Sequence, residues 1–380
     1  MNALARKIAE HVRVEGPLGV DRYWNFALYD REHGYYARRD PFGRAGDFVT
    51  APEVSQMFGE LLGAWVASAW TGLGRPDAFL LVECGPGRGT MMADMLRALR
   101  SVAPDCMRAA AVRLVETSDR LADEQMQTLG RFDLPIRRVR RIEDLERRPM
   151  VVVANELFDA VAVRQYVFDG SDWRERCVST TDSGRFEFVL CEARPQVSDA
   201  VRAMGLVEPK AGAVLEVSPA RERIAAALAE RLATDGGAGL FIDYGHSRSG
   251  YGDTLQAMHG HAFADPLDRP GENDITSHVD FDRIAAPFRA SGLYVSPTVT
   301  QSDFLLALGL LERAGALGAA RDEKTRTEIT GAVQRLAGTG PGDMGQIFKV
   351  LCAASRPMRL PPFGLIEAGL PDTTDGTAAD

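Results

Sequence analysis

From Phe79 onward the chain alternates short apolar runs with longer amphipathic stretches. Phe79–Cys84 (FLLVEC), Val112–Glu116 (VRLVE) and Val151–Asn155 (VVVAN) each carry a polar group at or next to their end. Runs of this kind fit parallel strands buried on both faces, and Thr90–Leu99 and Asp119–Leu129 between them fit helices. The predicted core is a doubly wound α/β sheet. Strand-like segments follow at Val163–Phe168, Trp173–Val178, Phe186–Leu190 and Ala213–Val217, then a helix over Pro219–Ala233 with Pro in its first turn. A buried strand at 239–244, helices near 301–317 and 322–337 and a last strand near Ile347–Ala353 complete the pattern. Ahead of the core, Phe58, Leu61, Leu62, Trp65, Val66 and Ala69 recur at helical spacing, after a Gly/Pro-punctuated loop from Asp40 to Pro52.

This divides the chain into an N-terminal helical cap with a lid loop (1–75), an α/β core (76–260), a C-terminal subdomain that completes the sheet (261–357) and a tail (358–380) whose last ten residues read as disordered. Residues 245–274, rich in Gly, Pro, His and Asp, are too long for an ordinary connection and read as a functional or disordered loop. Forty-four basic against 53 acidic residues give a net charge of −9, which argues against a chain that coats nucleic acid or an anionic membrane, and no run approaches the roughly 18 to 20 apolar residues that span a bilayer. The five cysteines are scattered with no Cys-x-x-Cys pair, which suits a reducing compartment. Met1–Val14 is basic and amphipathic but carries Glu10 and leads directly into patterned sequence, so it reads as a folded helix and the protein as cytoplasmic.

The strongest local signal is Glu83-Cys84-Gly85-Pro86-Gly87-Arg88-Gly89-Thr90, an acid at a strand end followed by Gly-x-Gly-x-Gly and a helix. Glycines at this spacing let the main chain turn sharply and present its N–H groups to a ligand, although a ligand-free turn has the same pattern. Thr90 stands where a dinucleotide fingerprint needs its third glycine, which disfavours NAD or FAD. The turn resembles the first motif of class I S-adenosylmethionine methyltransferases. Glu116, ending the second strand, is placed to accept two ribose hydroxyls or to cap the next helix. Asn155-Glu156-Leu157-Phe158-Asp159 ends a further strand at the same edge.

Taken together the segments resemble one family, the methyltransferases related to mitochondrial complex I assembly factor 7 and the MidA proteins. The resemblance is carried by Gly34-Tyr35-Tyr36, Gly46 to Glu53 (GDFVTAPE), Phe58-Gly59-Glu60-Leu61, the glycine turn, Leu114 to Ser118, Asn155 to Ala160 (NELFDA), Asp243-Tyr244-Gly245, Asp253-Thr254-Leu255, Asp274-Ile275-Thr276, Val279-Asp280-Phe281, Met344-Gly345 and Phe348. It spans about residues 18–352. Ala51 stands where a serine is common, and the connection from Arg141 to Met150 is shorter than in the mitochondrial members, so no adenine contact is assigned to Glu143 or Asp144.

The resemblance implies a Rossmann-like class I fold, S-adenosyl-L-methionine as cofactor and a protein arginine as methyl acceptor. The family's mitochondrial member symmetrically dimethylates an arginine of a quinone-site subunit of respiratory complex I, which makes such a subunit the implied client. The expected cofactor residues are Gly46, Asp47, Phe48 and Thr50 in the lid, Glu83, Gly85, Pro86, Gly87 and Gly89 in the turn, with Glu116, Thr117 and Asn155. An arginine acceptor is always protonated, so carboxylates are needed to hold it bidentately beside a sulfonium. Glu156 and Asp159 are the expected clamp, though both also suit a helix N-terminus. Asp243 and Tyr244 are expected to line the arginine pocket, and His261 is a substrate-side candidate.

Other chemistries fit less well. His259 and His261 have no acidic or Cys partner at ligand spacing, so no metal is expected. Gly245-His246-Ser247-Arg248-Ser249 lacks the second glycine of a nucleophile elbow. The basic residues from Arg137 to Arg148 are interleaved with Glu143, Asp144 and Glu146 and read as a paired helix face. Methylation of a small molecule or of another side chain, and a non-catalytic complex I assembly factor that binds the cofactor, are the alternatives. The sequence leaves the oligomeric state open, a homodimer included.

Overall fold

A computed structural model of the chain describes residues 1–38, 50–193 and 197–366. Its central sheet is built from β1 (Phe79–Cys84), β2 (Ala110–Val115), β3 (Ile136–Val139), β4 (Met150–Asn155), β5 (Gly237–His246) and β6 (Phe348–Ala354). Their order across the sheet is β6-β5-β4-β1-β2-β3, with the two-residue strand Tyr294–Val295 outside β6. The first five strands run parallel and β6 runs antiparallel to β5. Every residue of β1 and β4 is buried, the physical reason that each is an unbroken apolar run up to its end.

Register decides which residues meet at the carboxyl edge. Cys84 pairs with Val115 of β2 and Ala154 of β4, and Asn155 pairs with Ile242 of β5. The residues that follow, Gly85, Glu116, Glu156 and Asp243, therefore emerge side by side. Strand order reverses between β1 and β4, and open α/β sheets leave a crevice beyond the strand ends at such a reversal.

The main helices are α1 (Ala3–Glu15), α2 (Val20–Tyr29), α3 (Gln56–Gly72), α4 (Thr90–Val102), α5 (Asp119–Leu129), α6 (Pro219–Asp235) and α7 (Phe281–Ala290), of which α3, α4, α6 and α7 cover the two faces of the central sheet. On one face α3 and α4 bury Phe58, Trp65, Met92 and Leu96 against Leu81, Val112 and Val151. On the other, α6 and α7 bury Leu228, Leu232, Ile284 and Phe288 against Leu80, Val82 and Phe241. Alternate residues of β1 thus serve opposite layers, with each large side chain contributing roughly 1.5–3 kcal/mol. Ser118 and Ser218 cap α5 and α6 by accepting from the N–H groups of Leu121 and Arg221.

A second, antiparallel sheet joins Arg164–Phe168, Trp173–Thr180, Phe186–Glu192 and Val214–Val217, with Leu18–Gly19 paired to Trp173–Thr180. Against it α1 and α2 bury Leu4, Ile8, Trp24 and Leu28 together with Val163 and Val178. The Trp24 indole donates to the carbonyl oxygen of Ala160 (3.1 Å), which holds α2 over the end of β4.

Some stretches depart from expectation. Residues 245–274 are not one loop: Gln256–His259 pairs with Ala262–Ala264 and with Asp274–Thr276. Strands of three or four residues are too short to show a period among Gly and Pro. Residues 358–366, assigned to the tail, form a hairpin with Met358, Leu360 and Ile366 buried. The expected helix at 301–317 breaks at Gly309 (φ 91°) into Gln301–Ala307 and Leu310–Gly318. The basic cluster is not a helix face, because Arg137 and Arg138 lie on β3. It is ion-paired nonetheless, Arg138 and Arg140 with Asp119 and Arg137 with Glu146.

Candidate active site

The turn after β1 is built from left-handed residues. Gly85, Gly87 and Gly89 have φ of 70°, 51° and 80°, a region that side chains rarely adopt. Gly85 donates its N–H to Val115 (3.1 Å), Gly89 to Pro86 (2.7 Å), and Gly89 caps α4. Gln125 of α5, wholly buried, donates to the Gly87 carbonyl (2.7 Å) and to Glu116 Oε2 (3.1 Å), tying the turn to the acid on β2. Nothing in the helical pattern singles out Gln125; its role follows from burial and reach. Glu116 also accepts from the Ser118 N–H (2.7 Å), while burial raises its pKa.

These groups open onto a cleft of about 1270 Å³ at the strand reversal, lined further by Thr117, Asn155, Glu156, Thr50, Glu53, Tyr29 and Tyr36. Thr90 donates to Glu53 Oε1 (2.9 Å), which ties the residue 50–54 segment to the glycine turn. The same segment reaches β4, where the Ala51 N–H donates to Glu156 Oε1 (3.3 Å). Gly46, Asp47 and Phe48 of the expected lid lie outside the described residues.

Glu156 departs from β4 with φ 51°, a strained conformation for a residue with a side chain and one found where a site demands it. Its Oε1 also accepts from Asn155 Nδ2 (3.0 Å). Burial, then the neighbouring Asp159 carboxyl, pushes the Glu156 pKa up to about 7. Asn155 Oδ1 and Glu83 Oε2 are buried without a hydrogen-bond partner among the described residues.

Asp159 and Asp243 lie beneath this surface and not on it. Asp243, fully buried, accepts from the N–H groups of Phe158 (2.9 Å), Asp159 (3.2 Å) and Tyr244 (3.0 Å) and so holds the turn after β4. Asp159 accepts from the Ala160 N–H (2.7 Å), and burial, opposed by Arg221, sets its pKa at about 6. Arg221 donates to the carbonyls of Asp159 (3.2 Å), Val161 (3.0 Å) and His278 (2.7 Å). The expected clamp of Glu156 with Asp159 is therefore split into one group facing the cleft and one behind it. Asp243 is a scaffold for the turn. His261 is not brought to this edge; it is exposed at a hairpin turn with φ 63°.

Two outcomes follow from these buried acids. Asp243→Ala leaves the Phe158 and Asp159 N–H groups unpaired in the interior and is expected to cost about 3 kcal/mol, read as a lower urea midpoint. Glu156 has its carboxyl at about 7 in the fold against an ordinary 4.5, and burial displaces Glu83, Asp159 and Asp243 upward too. Between those values the native chain holds more protons than the unfolded one, so stability falls as pH rises. Without cofactor, the thermal midpoint should be higher near pH 5.5 than near pH 7.5; the opposite order contradicts the burial of these groups.

The family model for S-adenosyl-L-methionine-dependent methyltransferases matches residues 61–297. The chain is 32% identical to the protein arginine methyltransferase NDUFAF7, mitochondrial, of Danio rerio, over 91% of this chain and 86% of that protein. It is 33% identical to the Drosophila melanogaster homologue, over 92% and 84%. Among solved structures, one from Burkholderia thailandensis bound to S-adenosyl-homocysteine is 30% identical, covers 93% of this chain and 92% of that chain, and superposes with a TM-score of 0.79. The chain belongs to this family of S-adenosyl-L-methionine-dependent methyltransferases, and S-adenosyl-L-methionine is its cofactor.

The cleft suits that ligand: a glycine turn bare of side chains, an acid on the next strand, and orphaned polar atoms of Glu83 and Asn155. The expectation of a cytoplasmic protein is corrected by the relatives, which are named as mitochondrial. Scattered free cysteines fit any compartment that keeps thiols reduced and do not choose between them.

Proposed function

We propose that the chain is a protein arginine N-methyltransferase, and that Glu156 receives the acceptor guanidinium. The observation that carries this reading is the carboxylate of Glu156, held in a left-handed conformation at the cleft edge next to the glycine turn. The names of relatives similar over more than nine-tenths of the chain support it. When bound, the cofactor supplies an electrophilic methyl on a sulfonium. Methyl transfer of this kind is an in-line displacement, so the protein's part is alignment, charge and exclusion of water.

In this reading Gly85, Pro86, Gly87 and Gly89 follow the amino-acid end of the cofactor. Glu83 supports that turn, Glu116 and Thr117 take the ribose, and Asn155 orients the ligand through its amide. Gly46, Asp47, Phe48 and Thr50 are the further cofactor residues that the family resemblance implies. Glu156 Oε1 is already held by Ala51 and Asn155, which aims the carboxylate and leaves Oε2 for a guanidinium N–H. Asp159 behind it adds negative potential that offsets two neighbouring cations, and Asp243 keeps the turn rigid. His261 has no part in the proposal.

The proposed client is a subunit of respiratory complex I, dimethylated symmetrically. Incubation of the chain and tritiated-methyl S-adenosylmethionine with purified complex I, followed by hydrolysis to amino acids, tests this. Label is expected in dimethylarginine from one subunit. Label in small metabolites of an extract would move the reading to a small-molecule methyltransferase, and no label despite cofactor binding would move it to an assembly factor.

A further inference from the structure

Next to the glycine turn and the acids, the cleft has an aromatic wall to which no role has been given. It is built by a tight reversal after α2. Asp30 accepts from the N–H groups of Glu32 (3.1 Å) and His33 (3.0 Å), and Gly34 donates to the Asp30 carbonyl (3.0 Å). A side chain at position 34 would meet the Asp30 backbone at 2.6 Å and the Leu28 carbonyl oxygen at 2.7 Å, so glycine closes the turn. The reversal lays Tyr36 on Tyr29, with ring centroids 5.4 Å apart and 21° between planes, and the wholly buried Tyr35 meets Tyr36 edge-on.

This pair is pinned to the segment that follows Glu156. The Tyr29 hydroxyl donates to the carbonyl of Ala160 (2.9 Å), four residues beyond Glu156, and both rings line the same cleft as Glu156. Tyr29 nevertheless keeps 45% of its surface exposed, so packing alone does not account for a ring fixed at both ends. Phenols ionise at about pH 10, so both rings are neutral at working pH. A neutral aromatic face amid carboxylates is a receptor for a cation, and a flat one suits a planar guanidinium better than a compact ammonium.

We propose that the stacked Tyr29–Tyr36 pair is the platform on which the acceptor's guanidinium lies, opposite the Glu156 carboxylate, and that this platform selects arginine. The inference rests on the reading of the chain as an arginine methyltransferase.

The test is calorimetry on the full chain saturated with S-adenosylhomocysteine, titrated with acetyl-Gly-Gly-Arg-Gly-Gly-amide and with its citrulline and lysine counterparts. The wild type is expected to bind the arginine peptide about tenfold or more tighter than the citrulline peptide. Tyr29→Leu and Tyr36→Leu should lose about tenfold on arginine and little on citrulline, while Tyr36→Phe keeps the preference because the ring and not the hydroxyl is responsible. Wild-type S-adenosylhomocysteine affinity in each variant shows that it is folded, and the exposure of Tyr29 makes Tyr29→Leu the safer of the two. Leucine variants that retain the arginine-to-citrulline ratio overturn the platform and leave the arginine reading standing. A wild type that prefers the lysine peptide, and loses that preference in the leucine variants, overturns arginine as the acceptor and keeps a cation platform. A wild type that binds none of the three overturns both.

Discussion

Gly87→Val is expected to lower S-adenosylmethionine affinity by at least a hundredfold while the chain stays folded. Gly87 sits at φ 51°, and a β-branched residue held there is strained by roughly 1–3 kcal/mol. The turn cannot relax freely, because the Gly87 carbonyl accepts from Gln125, which also holds Glu116. A valine that twisted towards ordinary φ would break the link between the turn and the acid on β2. One that stayed would put two methyl groups where the ligand must meet main-chain N–H groups. Calorimetry gives the affinity and urea unfolding the integrity, with a stability loss of no more than about 3 kcal/mol. Retained affinity in a folded Gly87→Val would show that the cofactor does not lie on this turn.

The second large effect is at Glu156. Glu156→Gln is expected to leave S-adenosylmethionine affinity within about twofold and to lower methyl transfer on the order of a hundredfold, the equivalent of about 2.7 kcal/mol in the barrier. Glutamine keeps the shape and can still accept from Ala51 and Asn155, but it brings no charge to a guanidinium. The pH dependence separates this role from a structural one. The wild-type carboxyl, at about 7 by burial and the nearby Asp159, must lose its proton to hold a cation, so the rate rises with pH and levels off. A bound sulfonium favours the carboxylate, which puts the inflection between the ordinary 4.5 and about 7. The rate of Glu156→Gln should be flat over that interval. An unchanged inflection in the variant would assign the titration to another group.

Much of this was legible in the chain because the core strands are buried on both faces and so write themselves as apolar runs. Those runs placed Glu83, Glu116 and Asn155 at the ends of β1, β2 and β4, and adjacency in a parallel sheet did the rest. What faces the cleft was not legible. Glu156 and Asp159 are three residues apart and look equivalent, and only the left-handed backbone at Glu156 turns one outward and leaves the other beneath. Asp243 was visible as an acid at a strand end, yet its work is to accept two N–H groups from a turn 85 residues away in sequence, a long-range fact with no local signature. Gln125 is hidden for the same reason. The short strands at 256–276 and 358–366 were missed because three residues do not make a period, and His261 was carried by resemblance alone.

The most direct test of the central claim is methyl transfer from labelled S-adenosylmethionine to a pair of peptides that differ only in one arginine or one lysine, with the product nitrogen located by fragmentation mass spectrometry. Label is expected on a guanidino nitrogen of the arginine peptide, with the lysine peptide unlabelled and the signal lost in Glu156→Gln with its cofactor still bound. Label on the lysine peptide, or equal labelling by wild type and Glu156→Gln, would contradict the claim.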